Sequence, residues 1–249
     1  MKHAGKSSRA ALRLIYWTLL ALLTLMFAGA LAQLMGGLIV TVAGGLVVLW
    51  LVFCVFCLWF FRDPEPSVPR QPEAIVAPAH GKVDVIDQLE EPDFMHGPCR
   101  RVSIFLSVFD VHVQRSPVAG RLGWLKHTPG QFVNAMRTDS AQHNENVLMG
   151  FESSERPGER IAVRLIAGLI ARRIVSWVKP GESVGRGERI SLIQFGSRCD
   201  VYLPLSCEVK VKLGDRVRGG IAVLALRPSA MATSILPPPS GPTAPEPPR

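Results

Sequence analysis

No charged side chain occurs between Leu14 and Phe61, a run of 48 residues. As a single helix this run would be about 72 Å long, whereas the hydrocarbon core of a bilayer is about 30 Å thick. Gln33, Gly36 and Gly37 interrupt the leucine-rich sequence and divide it into two parts that are each long enough to cross. The run therefore predicts a transmembrane helical hairpin over residues 14–61.

Basic residues flank both outer ends of this hairpin. Lys2, Lys6, Arg9 and Arg13 precede it, Arg62 follows it, and no Asp or Glu occurs before residue 63. Basic residues concentrate on the cytoplasmic side of membrane proteins, so both ends are expected there, with residues 1–13 as a cytoplasmic N-terminus. The alternative is a cleaved signal peptide, but its apolar region would be only about 7 to 15 residues and would not continue into a second apolar run.

The net charge of the chain is concentrated in the same region. Residues 1–62 carry five of the eight net positive charges, while the remaining 187 residues hold 23 Lys and Arg against 20 Asp and Glu. Nucleic-acid binding is therefore not expected, because a phosphate-binding domain concentrates its basic residues on the folded part. Five cysteines, an odd number, do not form a disulfide framework. Cys54 and Cys57 lie among apolar residues of the second predicted span, so no metal site is predicted there.

The composition changes after Phe61. Residues 62–72 form a polar, proline-rich linker that cannot continue a helix. Residues 73–227 contain short apolar runs rich in β-branched residues, separated by Gly and Pro turns, a pattern typical of a mostly β unit. Residues 168–178 are compatible with either a helix or a further strand. Residues 228–249 include eight prolines among 22 positions and are expected to be a disordered tail.

Two segments of the β unit resemble each other, residues 178–190 and residues 211–221. Each contains a strand end, a Lys, a turn Gly, an acidic residue, a Val and a second Gly before the next strand. Paired short hairpins of this kind suit the small β sandwich or barrel of biotinyl and lipoyl carrier domains, although no Lys stands at the tip where a carrier bears its cofactor. The predicted fold is therefore mostly β, a barrel-sandwich hybrid preceded by the membrane hairpin.

Gly196 and Ser197 lie between two apolar runs, where such a pair is most often an ordinary turn. The Gly-x-Ser-x-Gly elbow of hydrolases is absent. A Ser hydroxyl can instead attack the preceding carbonyl to give an ester, and a preceding Gly leaves that carbonyl accessible. Loss of the Ser α-proton then breaks the ester, and hydrolysis of the dehydroalanine leaves a pyruvoyl group at the new chain start. This chemistry would cut the chain between Gly196 and Ser197.

Asp110, His112 and Gln114 alternate along a predicted strand and are expected on one face. A carboxylate beside a histidine can orient the imidazole and bring its pKa near the working pH for proton transfer. A solvated edge strand would give the same pattern. His80 lies in a turn that enters another strand, where a lone histidine is more often a surface residue.

Several motifs follow one another in order along the chain: FFRDPE from Phe60, APAHGKV from Ala77, DVHVQRSPVAG from Asp110, NEN from Asn144 and FGSRCDVYLP from Phe195. Together they resemble the compact bacterial form of phosphatidylserine decarboxylase. The resemblance implies a proenzyme that cleaves itself into a β chain, residues 1–196, and an α chain, residues 197–249. The former Ser197 becomes the pyruvoyl cofactor, which forms a Schiff base with phosphatidylserine and yields phosphatidylethanolamine and CO₂.

The resemblance also implies roles for single residues. His112 matches the histidine expected to act on protons during decarboxylation, with Asp110 as its orienting partner. At position 80 the family usually has Asp, in a stretch thought to help assemble the self-cleavage machinery; the neutral imidazole of His80 could itself act as the base for Ser197. Some relatives have a second histidine where this chain has Arg115, a basic residue that could pair with a lipid carboxylate or phosphate.

The partners implied are the phosphatidylserine substrate, the inner membrane with the β domain on its cytoplasmic face, and a second copy in a homodimer. An alternative of a different class is a non-enzymatic, membrane-tethered lipoyl-like β domain that serves as an adaptor. It explains the hairpin, the repeated turns and the basic flanks without using Gly196 and Ser197. Self-cleavage distinguishes the two hypotheses.

Overall fold

The computed structural model describes residues 6–31, 37–131, 143–168, 173–194 and 197–228. Its two long helices are α1 (Lys6–Leu31) and α2 (Gly37–Phe60). Both are long and apolar enough to cross a membrane by length and composition, and few of their side chains are buried. They pack on each other, and Trp50 Nε1 donates a hydrogen bond of 2.9 Å to Thr18 Oγ1 across the pair. The predicted helical hairpin is confirmed.

The remaining described residues are mostly β, as predicted, because apolar and β-branched residues recur in short runs between Gly and Pro turns. Within residues 168–178, for which the sequence allowed a helix or a strand, Ile174–Ser176 form a strand. The strands are β1 (Ala74–Val76), β2 (Gly81–Glu91), β3 (Gly97–Leu106), β4 (Val113–Arg115), β5 (Gly120–Thr128), β6 (Asn146–Ser153), β7 (Arg160–Ala167), β8 (Ile174–Ser176), β9 (Ser183–Val184), β10 (Arg189–Ile193), β11 (Ser197–Leu203), β12 (Glu208–Val209), β13 (Arg216–Val217) and β14 (Val223–Leu226).

These strands form three antiparallel sheets. The largest has eight strands in the order β13-β2-β3-β11-β7-β6-β5-β9, and two three-stranded sheets have the orders β1-β14-β12 and β4-β10-β8. Aliphatic side chains from all three sheets share one buried cluster, which includes Ile75, Ile104, Leu122 and Ile193. The core therefore lies between the large sheet and the two small ones, as in a sandwich.

The sheet orders reveal two related halves. The first half comprises β1–β3 and β11–β14, and the second half comprises β4–β10. In this comparison β1–β3 correspond to β4–β6, and β11–β14 correspond to β7–β10. Replacing each strand by its counterpart turns one three-stranded sheet into the other and gives the large sheet in reverse order. The β11–β7 pair lies at the centre of this symmetry. The domain is thus one supersecondary unit used twice.

The two similar turns noticed in the sequence occupy matching places in these halves. Gly181 and Gly214 have φ angles of 94° and 93°, a left-handed conformation that glycine adopts without steric cost. Their amides donate to the carbonyls of Leu122 and Val83 at 2.7 and 2.8 Å. The repeat in the sequence therefore reflects a repeat in the backbone.

The strand predicted over residues 110–114 is shorter than expected. Only Val113–Arg115 pair as β4, whereas residues 107–110 form a turn in which Asp110 N donates to Ser107 O at 3.0 Å. The Asp110 carboxylate accepts hydrogen bonds from Ser107 N and Ser107 Oγ at 2.9 and 2.7 Å. This local side-chain capping competes with strand pairing and ends it. Gly196 and the predicted tail beyond residue 228 lie outside the described residues.

The hairpin packs against the second half of the domain. Phe60 and Phe61, at the end of α2, are buried in one apolar cluster with Val111, Val113 and Leu192. The end of the second helix is therefore part of the domain's own packing. This contact fixes which end of the β domain faces the helices.

Candidate functional site

Ser197 begins β11 in the middle of the large sheet. Its backbone pairs with Leu106 of β3 and Ala167 of β7, and the residue is fully buried. Its hydroxyl has no hydrogen-bond partner among the described residues. A buried hydroxyl is normally paired, because leaving it unpaired costs about 1–3 kcal/mol. The hydroxyl is therefore not tied down by any described group and remains available for chemistry.

The NEN motif supports the strand beside Ser197. Asn144 Nδ2 donates to the carbonyl of Ala167 at 2.7 Å, and the Ala167 amide donates to Glu145 O at 2.9 Å. Asn146 Nδ2 donates in turn to Asn144 O at 3.0 Å. The motif thus holds the end of β7 from which Ala167 pairs with Ser197.

The residue that follows Ser197 is anchored as well. Arg198 is fully buried, and its Nη2 pairs with Asp84 Oδ2. Asp84 lies at a register shift between Val83 and Val85 of β2, where the strand carries an extra residue. This pair connects β11 to the strand that starts just after His80, a contact that was not predicted from the sequence.

His112 is fully buried immediately before β4. Its ring stacks on Phe60, with 4.2 Å between centroids, and its Nδ1 lies 2.9 Å from the backbone carbonyl of Asp110. A carbonyl oxygen only accepts, so Nδ1 carries the proton and Nε2 is left as the acceptor nitrogen. Burial lowers the pKa of His112 to about 4, which keeps the imidazole neutral at pH 7.

Asp110 therefore contacts His112 in a different way from the one expected. The sequence suggested a carboxylate beside the imidazole, but the carboxylate caps the turn at Ser107 and its Oδ1 lies 3.7 Å from Nη1 of Arg216. The contact with the ring comes from the Asp110 main chain. The short turn produces this arrangement, because it folds the Asp110 side chain back onto Ser107.

His80 precedes β2 and is partly buried. Burial, followed by the positive charge of Arg115, lowers the pKa of His80 to about 4, while the negative charge of Asp110 opposes that shift. His80 is close enough to His112 for its positive charge to contribute to the lowered pKa of His112. The register places β2 two strands from β11, about 10 Å between backbones. The two histidines and Ser197 thus lie at the same end of the domain.

Arg115 is fully buried and binds the linker that follows α2. Its Nη2 donates to Asp63 Oδ1 at 2.6 Å and to Pro64 O at 2.8 Å, and its Nη1 donates to Gly187 O at 3.0 Å. The guanidinium that was expected to pair with a lipid anion is therefore engaged by the protein itself.

A second arginine completes this contact. Arg189 of β10 pairs with the other oxygen of Asp63 and, through Nη2, with Glu65 at 2.5 Å. No role was predicted from the sequence for Asp63 or Arg189. A usable signal was present, because Asp63 is the first acidic residue of the chain and lies two residues after the end of a long apolar segment. A carboxylate at that place needs a cationic partner if it is buried.

Comparison with known proteins identifies the family. The family model described as phosphatidylserine decarboxylase matches residues 53–225. A phosphatidylserine decarboxylase proenzyme from Desulfotalea psychrophila is 44% identical over 179 residues, which cover 72% of this chain and 83% of the relative. Proteins of the same name from Symbiobacterium thermophilum and Carboxydothermus hydrogenoformans are 45% and 40% identical, covering 70% and 75% of this chain and 80% and 89% of their own lengths.

The chain belongs to the phosphatidylserine decarboxylase family. The resemblance stated from the sequence motifs is confirmed. The matched region includes the end of α2, the linker, His80, His112 and Ser197.

Proposed function

We propose that this chain is a self-processing enzyme that converts phosphatidylserine to phosphatidylethanolamine and CO₂, with a pyruvoyl group made from Ser197. The family membership supports the reaction. The observation that carries the proposal for this site is the buried Ser197 hydroxyl, which has no partner among the described residues. The adaptor hypothesis assigns no role to Ser197.

In self-cleavage, the Ser197 hydroxyl loses its proton and attacks the carbonyl of Gly196. The peptide bond breaks and an ester replaces it. Removal of the Ser197 α-proton then expels the Gly196 carboxylate, which ends a β chain of residues 1–196. The remaining dehydroalanine takes up water and releases ammonia, leaving a pyruvoyl group at the start of an α chain of residues 197–249.

His80 is our proposed base for the first of these steps. A base must be unprotonated to accept the hydroxyl proton, and burial together with Arg115 holds the pKa of His80 at about 4. The family usually has Asp at this position, and a neutral imidazole can take the same proton. The location of His80 at the same end of the domain as Ser197 supports this role.

The surroundings of Ser197 fit a pyruvoyl group, since the strand start is buried and its neighbours Leu106 and Ala167 are apolar. When formed, the group supplies a carbonyl that binds the substrate amine and accepts the electrons released as CO₂ leaves. The role that we propose for His112 is to move a proton at Nε2, because its Nδ1 proton is held by the Asp110 carbonyl. Phe60 stacks on the ring and fixes its plane.

The bilayer is close to this site. We propose that α1 and α2 cross the inner membrane and that the β domain lies on its cytoplasmic face, as the basic residues outside the hairpin support. Because Phe60 ends α2 and stacks on His112, the active site is next to the point where the chain leaves the membrane. A homodimer is proposed from the family resemblance alone.

The decisive experiment is intact mass spectrometry of the purified chain with a CO₂ assay. The wild type should give two pieces of 196 and 53 residues, the shorter with a blocked N-terminus. Ser197→Ala should remain full length and release no CO₂, whereas Ser206→Ala, a matched change in an exposed turn, should cleave normally. His112→Ala should cleave but decarboxylate at least about 100-fold more slowly. A full-length wild type with unmodified Ser197 would support the adaptor instead.

A further inference from the structure

The loop that carries Asp110 and His112 exposes a large aromatic side chain. Phe109 is 68% exposed at the tip of the turn formed by residues 107–110. The Asp110 carboxylate closes this turn by accepting hydrogen bonds from Ser107 N and Ser107 Oγ. Single exposed apolar residues are common, so the question is whether Phe109 is part of a larger apolar surface.

Phe109 is adjacent to the end of the second membrane helix. Its ring lies 5.9 Å from the ring of Trp59, edge to face, and Trp59 is the penultimate residue of α2. The Arg62 guanidinium lies 4.1 Å from the Trp59 ring centroid, and Arg62 Nη2 donates to the carbonyl of Phe109 at 2.7 Å. The exposed ring therefore extends the apolar surface of α2 at the point where that helix ends.

A second exposed segment lies beside the same loop. The Arg216 side chain is 77% exposed, and its Nη1 is 3.7 Å from Asp110 Oδ1. The turn that leads into Arg216 exposes Leu213, at 64%. Trp59, Arg62, Phe109, Leu213 and Arg216 are called the active-site rim below. The rim thus combines apolar tips with cations around the loop that carries His112.

We propose that the active-site rim docks into the lipid bilayer, with Phe109 at the boundary between headgroups and acyl chains and Arg62 and Arg216 at anionic phosphates. Aromatic side chains concentrate at this boundary, and basic groups beside them are attracted to anionic lipids. The rim is continuous with the end of α2, so the surface that it contacts must also lie against the end of a membrane helix. The bilayer meets this condition, whereas a protein partner would have to bind at the membrane surface. The inference rests on the proposed function and adds a route: the lipid reaches His112 without leaving the membrane.

Docking can be measured without any reaction. A spin label at Phe109→Cys in the full chain, in nanodiscs of phosphatidylcholine with phosphatidylglycerol, reports its depth through collisions with oxygen and with a water-soluble nickel complex. Leu205→Cys, in an exposed turn elsewhere in the domain, is the matched control. The label at 109 should meet oxygen more and nickel less than the label at 205. Equal nickel exposure at both positions, or shielding of the label at 109 from both reagents, would overturn the proposal.

A kinetic test examines the route. Phe109→Asp should raise KM for phosphatidylserine in vesicles about tenfold with little change in kcat, because a carboxylate is costly in the bilayer. Phe109→Leu should retain the wild-type KM, and Leu205→Asp is the control for adding a charge. An unchanged KM in Phe109→Asp would contradict the route. Failure of the wild type to decarboxylate would instead contradict the proposed function, while the label depth would still decide whether the rim docks.

Discussion

The two halves of the β domain share one hydrogen-bonding frame. Val76 N donates to Pro117 O at 3.0 Å, and in the reciprocal position Arg115 N donates to Pro78 O at 2.7 Å. Gly187 N and Gly220 N each donate at 2.8 Å, to Ser116 O and Ala77 O respectively. The segments 77–83 and 116–122 therefore occupy equivalent places, although their sequences, APAHGKV and SPVAGRL, have only Pro and Gly in common.

The halves differ at the linker contact and at the candidate site. In the first half, the register pairs Val76 with Val223, and both are apolar; in the second half, the equivalent pair is Arg115 with Arg189. These two arginines hold the linker through Asp63. The residue immediately before β2 in the first half is His80, and the residue immediately before β5 in the second half is Ala119. The two halves thus share a backbone arrangement, and their side chains differ at the linker contact and at the candidate site.

The largest expected effect tests whether the frame is shared. A Cβ added at Gly81 would collide with the backbone carbonyl of Phe105, and one added at Gly120 would collide with that of Glu152. Gly81→Ala and Gly120→Ala should each cost about 4 kcal/mol of folding free energy, measured by unfolding in detergent in the uncleaved Ser197→Ala background. Gly97→Ala, where a Cβ meets nothing, is the control. If only one of the two substitutions lowered the folding free energy, the two halves would not be equivalent.

The next effect concerns the arginine that breaks the symmetry. Arg115→Val gives the second half the residue found in the first and leaves Asp63 with Arg189 alone. Removing one partner of a buried ion pair costs 3–5 kcal/mol, and we expect about 3 kcal/mol because Arg189 remains. Proteolysis of the linker should accelerate in parallel. Arg121→Val removes an exposed arginine and should cost less than about 0.5 kcal/mol. If Arg115→Val were as stable as the wild type and its linker equally resistant to protease, Arg115 would not be needed to hold the linker.

These halves explain which parts of the structure the sequence could predict. The hairpin and the mostly β fold follow from local patterns: a charge-free run and short β-branched segments between turns. The two turns with Gly181 and Gly214 were recognisable because glycine is needed where φ is positive. The likeness of residues 77–83 to residues 116–122 was not recognisable, because backbone groups make the shared contacts and place few demands on side chains.

The motifs predicted the candidate site residues but not the geometry around them. Motifs identified His80, His112 and Ser197, and the structure places them at one end of the domain. The contact of His112 with a main-chain carbonyl could not be predicted, because it depends on a turn that Asp110 closes locally. The stacking of Phe60 on His112 joins residues far apart in the chain and follows only from tertiary packing.

The histidine that breaks the symmetry should control maturation. His80→Ala should slow self-cleavage at least about 100-fold, because the proposed base is removed. Ala119→Ser, a small change at the equivalent place of the other half, should leave the rate unchanged. His80→Asp should retain cleavage, since a carboxylate can accept the same proton. Time courses of proenzyme made by cell-free synthesis, followed on denaturing gels, give these rates. Normal cleavage in His80→Ala would show that a group other than His80 accepts the Ser197 hydroxyl proton.

The smallest expected effect is in the pH dependence of the same cleavage. The neutral imidazole accepts the proton, and its pKa is lowered to about 4, so the active form persists as the pH falls below 6.5. The cleavage rate should fall by only about a tenth between pH 7 and pH 5, whereas an unshifted histidine would lose nearly all of it. Arg115 is the second cause of the lowered pKa, so the midpoint should move upward in Arg115→Val. A wild-type midpoint near 6.5 would show that His80 is not held neutral by its surroundings.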